Sequence, residues 1–382
     1  MKYRRLGNSE LYLSEIGLGC EGFLNIDQDM TTKLIDEAVA SGVNFMDFYA
    51  SDPDAHIRVG NALKPYRDKF HVQVHVCSAW KDGQYFATRD LNETKIAFEK
   101  TMQEFGFDCT DIAMLHYVDS LSTLQKCVDN GIIDYLRELK QKGIAKYIGM
   151  SSHNPEVALK AVNEGYIDCL MFSVNPCYDL QPADEDVEKL FDKKTYDKQF
   201  LNMDSQREEL YETCARKGIG ITVMKAFAGG DLLDKENSIA KVSLSVNECL
   251  AYALDRPAVA GICCGIKSMS DLQGVLAYED ADENQKDYAK ALASFPKISW
   301  VGHCMYCGHC APCTSKIKIA DLTKLLNLAK AQNELPETVR EHYKALEKHA
   351  SDCIDCKACE KRCPFGVKIT DNMKEAKKIF GY

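Results

Sequence analysis

From Glu15 onward the chain alternates between short apolar runs and longer stretches whose apolar positions recur every three or four residues. The short runs are EIGLGC, FMDFYA, HVQVHVCS, IAMLHYV, KYIGMSSH, CLMFSVN, GITVMKAF and AGICCGI. Between them lie stretches such as TTKLIDEAVASG, NETKIAFEKTMQEFG, GIIDYLRELKQKG and QREELYETCARKG. The first set has the length and composition of buried strands, and the second has the period of amphipathic helices. Several of the helical stretches end in Gly, a common stop signal. Eight strands alternating with helices over ~260 residues predict an α/β chain folded as a (β/α)8 TIM barrel. A doubly wound sheet is the alternative. Ahead of the barrel, YRRLGNSELYLSEIG reads as a hairpin turning at Gly7-Asn8. One stretch breaks the rhythm: QPADEDVEKLFDKKTYDKQFLNMDSQREEL, after the sixth strand, is long and charged. It reads as a surface insertion or as a lid, since βα loops form the barrel mouth.

Strand alternation assigns faces. In HVQVHVC, Val72, Val74 and Val76 form an apolar set suited to the outer helices, which turns His71, Gln73, His75 and Cys77 inward. His75 is nearer the C-terminal mouth, where barrel active sites sit. Asp47 and Tyr49 share one face of the second strand, and His116 follows the fourth. An imidazole titrates near neutrality and makes a competent general acid or base. Asp47, Tyr49, His75 and His116 are therefore the catalytic candidates. The alternative is that both histidines are satisfied interior polar residues. His71, deeper in the barrel, reads as structural, and Asp52 and His56 on the loop after strand two read as solvated.

Composition narrows the partners. The 382 residues are 46% hydrophobic and 27% charged, with a net charge of -10. That balance argues against nucleic-acid or anionic-membrane binding, which needs clustered positive charge. No apolar run approaches ~18 residues, and MKYRRLGNSE lacks a signal-type apolar segment. The expected location is cytoplasmic. Of 18 cysteines, eight fall between residues 304 and 363. The scattered ones, such as Cys109, Cys169 and Cys263, read as small buried hydrophobes with inert thiols.

The eight have a pattern. Cys304, Cys307, Cys310 and Cys313 are spaced C-x2-C-x2-C-x2-C. Cys353, Cys356, Cys359 and Cys363 are spaced C-x2-C-x2-C-x3-C and precede Pro364. The second run is the bacterial ferredoxin pattern, and four thiolates per site suit a cubane [4Fe-4S] cluster. In two-cluster ferredoxins the fourth cysteine of a run ligates the other cluster. One cluster is thus expected on Cys304, Cys307, Cys310 and Cys363, the other on Cys353, Cys356, Cys359 and Cys313. A pair of zinc sites is the alternative. Between the runs, DLTKLLNLAKAQ and LPETVREHYKALEKHAS are helical by period, so the module resembles the α-helical ferredoxins. The expected domains are a barrel over 1–296 and a ferredoxin-like domain over 297–382.

RRLGNSELYLSEIGLG, GVNFMDFYASDPDAHIRVGNALK, DIAMLHYVD, YIGMSSHN, GIGITVMKAFAGG and GIKSMSDL resemble successive landmarks of the aldo-keto reductases over residues 1–280. CMYCGHCAPC is similar to the first cysteine run of the branch with a C-terminal iron–sulfur domain. The resemblance implies a (β/α)8 barrel that binds NADPH without a Rossmann domain. It also implies a mouth set of Asp, Tyr, Lys and His, in which tyrosine protonates a carbonyl. Asp47 and His116 fall on two of those positions. The tyrosine position holds Asp52 and the lysine position His75, which leaves Tyr49 as a displaced stand-in. For a dinucleotide the resemblance points to Ser151, Ser152, Asn175, Lys225, Gly265 and Lys267. Ser152 replaces the asparagine of a Ser-Asn pair, Met171 or Phe172 replaces a glutamine, and Val275 replaces an adenine-contacting asparagine.

The expected function is an iron–sulfur oxidoreductase that passes electrons between two [4Fe-4S] clusters and a small molecule at the barrel mouth. NAD(P) or a flavin could serve as a second cofactor there, and a ferredoxin or other redox protein could be the electron partner. The alternatives are a conventional NAD(P)H carbonyl reductase with an accessory cluster domain, or a non-catalytic electron-transfer protein.

Overall fold

The eight apolar runs become eight parallel strands that close on themselves. They are β3 (Ile16–Gly19), β4 (Phe45–Phe48), β5 (His71–Val76), β8 (Thr110–Leu115), β9 (Ala145–Ser152), β10 (Cys169–Ser173), β11 (Gly220–Met224) and β12 (Val259–Gly265). β12 pairs with β3 through Ile262↔Ile16 and Cys263↔Gly17, which completes the ring. The structure is a computed structural model that describes all residues except 82, 177, 180–202, 236–242, 289–303, 305–309, 331–334, 336 and 364–365. Most of the charged stretch after the sixth strand, read as an insertion or lid, lies outside the described residues.

The predicted N-terminal hairpin forms from β1 (Tyr3–Arg5) and β2 (Tyr12–Ser14), paired antiparallel. It closes the floor: Leu6, Leu11 and Leu13 pack with Phe45, Ile112, Met114, Cys169, Met171 and Ala260, most of them on inward or early strand positions. The Phe45 ring fills so much of this layer that two neighbouring strands carry glycine. A Cβ on Gly17 would come within 2.3 Å of that ring, and one on Gly261 within 2.7 Å.

Helices α1 (Gln28–Ala40), α2 (Pro53–Leu63), α3 (Leu91–Phe105), α4 (Leu121–Asp129), α5 (Ile132–Gln141), α6 (Pro155–Asn163), α7 (Ser205–Lys217), α8 (Val246–Leu254) and α9 (Met269–Leu276) run between the strands. Asp, Ser or Asn caps the first turn of α1, α2, α3, α4, α6, α7, α8 and α9, accepting backbone N–H groups that have no intrahelical partner. One buried carboxylate joins three elements near the mouth. Asp179 accepts from Arg207 Nη1 at 3.2 Å and from the hydroxyls of Tyr211 at 2.6 Å and Tyr252 at 2.8 Å.

The chain departs from plain β/α alternation after β5. Instead of entering a helix it forms an antiparallel pair, β6 (Ser78–Lys81) and β7 (Gln84–Ala87), before α3 begins. Lys81 pairs with Gln84, and the two residues between them in the sequence are Asp82-Gly83. This hairpin is not among the elements that the apolar pattern predicts.

The described residues group into two compact units, the barrel and a second unit that holds the C-terminal cysteines and the short 3-10 stretch Ala228–Leu233. The second unit contains helices Ile319–Lys330, Glu337–Lys344, Ala358–Arg362 and Ile369–Phe380. Its core includes Leu322, Leu326, Tyr343, Met373 and Phe380, with the Tyr343 and Phe380 rings stacked at 3.9 Å. No described helix is long and apolar enough to cross a membrane.

Candidate active site

Strands β4 and β5 are neighbours, paired Asp47↔Gln73, so their inward side chains meet. The Asp47 carboxylate Oδ1 accepts from Gln73 Nε2 at 3.0 Å and from His75 Nε2 at 2.8 Å. The other ring nitrogen of His75 lies 2.7 Å from His116 Nδ1. His116 Nε2 in turn meets the hydroxyl of Tyr85, carried by the β6–β7 hairpin. Asp47, Gln73, His75 and His116 are all buried, whereas Tyr85 is half-buried. Five residues from four separate stretches of chain thus form one hydrogen-bonded line.

The line is held from outside. Arg89 Nη2 donates to the carbonyls of His116 at 2.8 Å and Tyr117 at 2.6 Å, which fixes the backbone where Tyr117 takes a positive φ of 49°. Tyr49 lies beside the line. Its ring is nearly parallel to that of His116, with centroids 5.9 Å apart and 10° between planes, while its hydroxyl donates to Glu21 Oε1 at 3.0 Å. Lys225 Nζ lies 3.8 Å from the same Glu21 oxygen. Burial, and then the Glu21 carboxylate, push the Tyr49 phenol well up. Burial also raises Tyr85, against the lowering effect of Arg89.

The Ser151, Ser152 and Asn175 side chains, expected at a dinucleotide, bond within the protein. The Ser151 hydroxyl accepts the Tyr117 N–H at 2.8 Å, and the Ser152 hydroxyl donates to Asp119 Oδ1 at 3.1 Å. Asn175 Nδ2 donates to the Lys225 carbonyl at 2.9 Å. Gly265 ends β12 exposed, and the Lys267 N–H bonds Asp271 Oδ2 at 3.0 Å as α9 begins. Asp52 and His56 are not solvated loop residues. Asp52 caps α2, accepting from Ala55 N at 3.0 Å. His56 is buried between the Ala50 carbonyl at 2.8 Å and Glu104 at 2.7 Å. Burial pushes the Cys214 and Cys264 thiols up to about 12, away from the reactive thiolate form.

In the second unit, Cys313, Cys353, Cys356 and Cys359 line one pocket, walled by Ile317, Ile319 and Met373. Among the described residues no three His, Cys, Asp or Glu side chains converge closely enough for a single metal ion. The Thr314 hydroxyl lies 3.7 Å from Cys356 Sγ. The Ala358 N–H and that hydroxyl hold the exposed Cys356 thiol below its usual value, favouring a thiolate. Four cysteines lining one pocket match the thiolate donor set of an iron–sulfur cluster. Arg362 ties the two runs together, donating to the carbonyls of Cys310 at 2.7 Å and Pro312 at 2.5 Å. Cys304, Cys310 and Cys363 are described, and Cys310 and Cys363 are buried; Cys307 lies outside the described residues.

Residues 15–248 match the model of the aldo/keto reductase family. The chain belongs to that family. Residues 303–368 match a 4Fe-4S dicluster domain, so this aldo/keto reductase is an oxidoreductase with an iron–sulfur domain. It is 26% identical to the oxidoreductase YqkF of Bacillus subtilis (strain 168) over 311 residues, 78% of this chain and 97% of that protein. It superposes on the aldo-keto reductase AKR11C1 from Bacillus halodurans with a TM-score of 0.60 for the holo form, at 22% identity over 76% of this chain and 96% of that one. For the apo form the TM-score is 0.55, at 21% identity and the same coverage. At these identities the structural likeness speaks for the barrel alone.

Sequence reasoning missed two members of the enzyme's mouth. Tyr85 escaped because the hairpin that carries it was not predicted, although Asp-Gly between short alternating runs is a strong hairpin signal. Arg89 escaped because nothing in a sequence tells which carbonyls a guanidinium will reach.

Proposed function

We propose that this aldo/keto reductase reduces or oxidises a small molecule at the barrel mouth, with His75 and His116 handling protons and the iron–sulfur domain handling electrons. The observation that carries the reading is the line Asp47–His75–His116, which puts proton-transfer groups where the family pattern expects a lysine and a histidine. A lysine ammonium only donates, whereas an imidazole both takes and gives a proton.

In this reading the barrel spans 1–296 and the ferredoxin-like domain 297–382. Cys353, Cys356, Cys359 and Cys313 hold one [4Fe-4S] cluster, supported by the cavity they line. Cys304, Cys307, Cys310 and Cys363 hold the other. Such clusters supply one-electron storage and transfer, and two together match a two-electron substrate. A reduced ferredoxin or similar one-electron carrier is the electron partner. NAD(P) or a flavin would enter as a second cofactor along Ser151, Ser152, Asn175, Lys225, Gly265 and Lys267. The route without nucleotide is favoured because the Ser151 and Ser152 hydroxyls are bonded within the protein.

The test is anaerobic. Protein pre-reduced with a stoichiometric low-potential donor should reoxidise when its carbonyl substrate is added from a panel, without nucleotide. Full turnover with NADPH alone, undiminished after removal of the clusters from a still-folded barrel, would refute the proposal.

A further inference from the structure

We infer that Tyr85 is the acid–base that meets the substrate, and that His116 and His75 form a proton wire from it to Asp47. The inference rests on the mouth reading above but not on the electron route.

The polarity of the line follows from donor and acceptor arithmetic. A carboxylate only accepts, so Asp47 requires the proton of His75 on Nε2. A neutral His75 then presents a lone pair at Nδ1, and the 2.7 Å contact requires His116 to donate from its own Nδ1. A neutral His116 is left with a lone pair at Nε2, and Tyr85 donates its hydroxyl proton there. Every donor points toward Asp47, and no buried imidazolium is needed. In this arrangement both rings are neutral, and the Asp47 carboxylate carries the only charge of the line.

The proton bookkeeping closes. A substrate O–H gives its proton to the Tyr85 oxygen as the Tyr85 proton moves to His116 Nε2. The His116 proton moves from Nδ1 to His75 Nδ1, and the His75 proton moves from Nε2 to Asp47. The net change is one substrate alkoxide and one protonated Asp47, with the three groups between them neutral throughout. The reverse sequence delivers one proton to a carbonyl-derived oxygen. The substrate class is therefore a carbonyl or its alcohol.

Two observations support the ends of the wire. At the outer end, Tyr85 is the first member with exposed surface, while Tyr49, the tyrosine expected from the sequence, has its hydroxyl engaged by Glu21. At the inner end, Gln73 donates Nε2 to Asp47, yet its own buried Oε1 has no hydrogen-bond partner among the described residues. A half-turn of that amide offers an acceptor to a protonated Asp47, so the inner end can accommodate both of its states.

The decisive measurement is the ring tautomers in 15N-histidine-labelled, cluster-loaded full-length protein, with signals assigned from His75→Asn and His116→Asn. The expected result is neutral His75 protonated at Nε2 and neutral His116 protonated at Nδ1. Tyr85→Phe should move the His116 Nε2 resonance, and Tyr49→Phe should not move it. A wild-type His116 that is protonated at Nε2, or a spectrum indifferent to Tyr85→Phe, overturns the wire. Turnover is read with benzaldehyde, where two methyl viologen radical cations and two protons yield one benzyl alcohol. Tyr85→Phe should lower kcat by about 100-fold with KM within about threefold; an unchanged kcat refutes the catalytic role. Failure of methyl viologen to support any turnover would count against the electron route alone, since the tautomers still decide the wire.

Discussion

His75 and His116 face each other through like atoms, Nδ1 to Nδ1, at 2.7 Å. Two neutral donors or two bare lone pairs cannot sit at that distance, so the pair shares one proton and each ring fixes the tautomer of the other. Removing His75 cuts His116 off from Asp47. His75→Ala should slow single-turnover reoxidation of pre-reduced protein by about 10²- to 10⁴-fold, with iron and sulfide content unchanged. A loss of iron in parallel would assign His75 a structural role instead.

Cys313 lies in the first cysteine run but lines the cavity of Cys353, Cys356 and Cys359. Cys313→Ser should therefore damage the cluster held by the second run, 40 residues further along the sequence. Iron should fall from about eight per chain toward four, and anaerobic electron paramagnetic resonance should show one cluster signal remaining. The assignment fails if the surviving signal is instead the one removed by Cys356→Ser.

Asp52 occupies the family's tyrosine position and serves as the N-cap of α2. Asp52→Ala should cost about 1 kcal/mol of barrel stability, the usual value of a lost cap, measured by urea unfolding. A kcat loss beyond what that destabilisation explains would return a chemical role to this position.

Asp111 is buried and receives His71, Arg67 and Lys146 together with the Val72 N–H. Burial alone would raise its carboxyl, but these partners outweigh that effect and hold it well below the usual range. Because the folded-state pKa is depressed, the stabilisation is present in full above the unfolded value of about 3.9 and fades as pH falls through the folded one. Asp111→Asn should cost roughly 3 kcal/mol at neutral pH. The gap between the two proteins in urea midpoint should narrow below about pH 4.

The eight strands, the N-terminal hairpin and the inward face of β5 were legible in the sequence, because strand burial imposes a period of two and helix burial a period near 3.6. The two cysteine runs were legible for a different reason: ligand spacing is local, and a short run carries it entire. Tertiary structure decided the rest. His75 gains meaning only where β4 and β8 bring Asp47 and His116 to its two ring nitrogens, across 28 and 41 residues of sequence. Tyr85 and Tyr49 are equivalent as letters, and they differ only in which acceptor the folded backbone places within reach of each hydroxyl, His116 for one and Glu21 for the other. A hydrogen bond depends on distances of a few tenths of an ångström, and that precision resides in the packed barrel rather than in any periodicity along the chain.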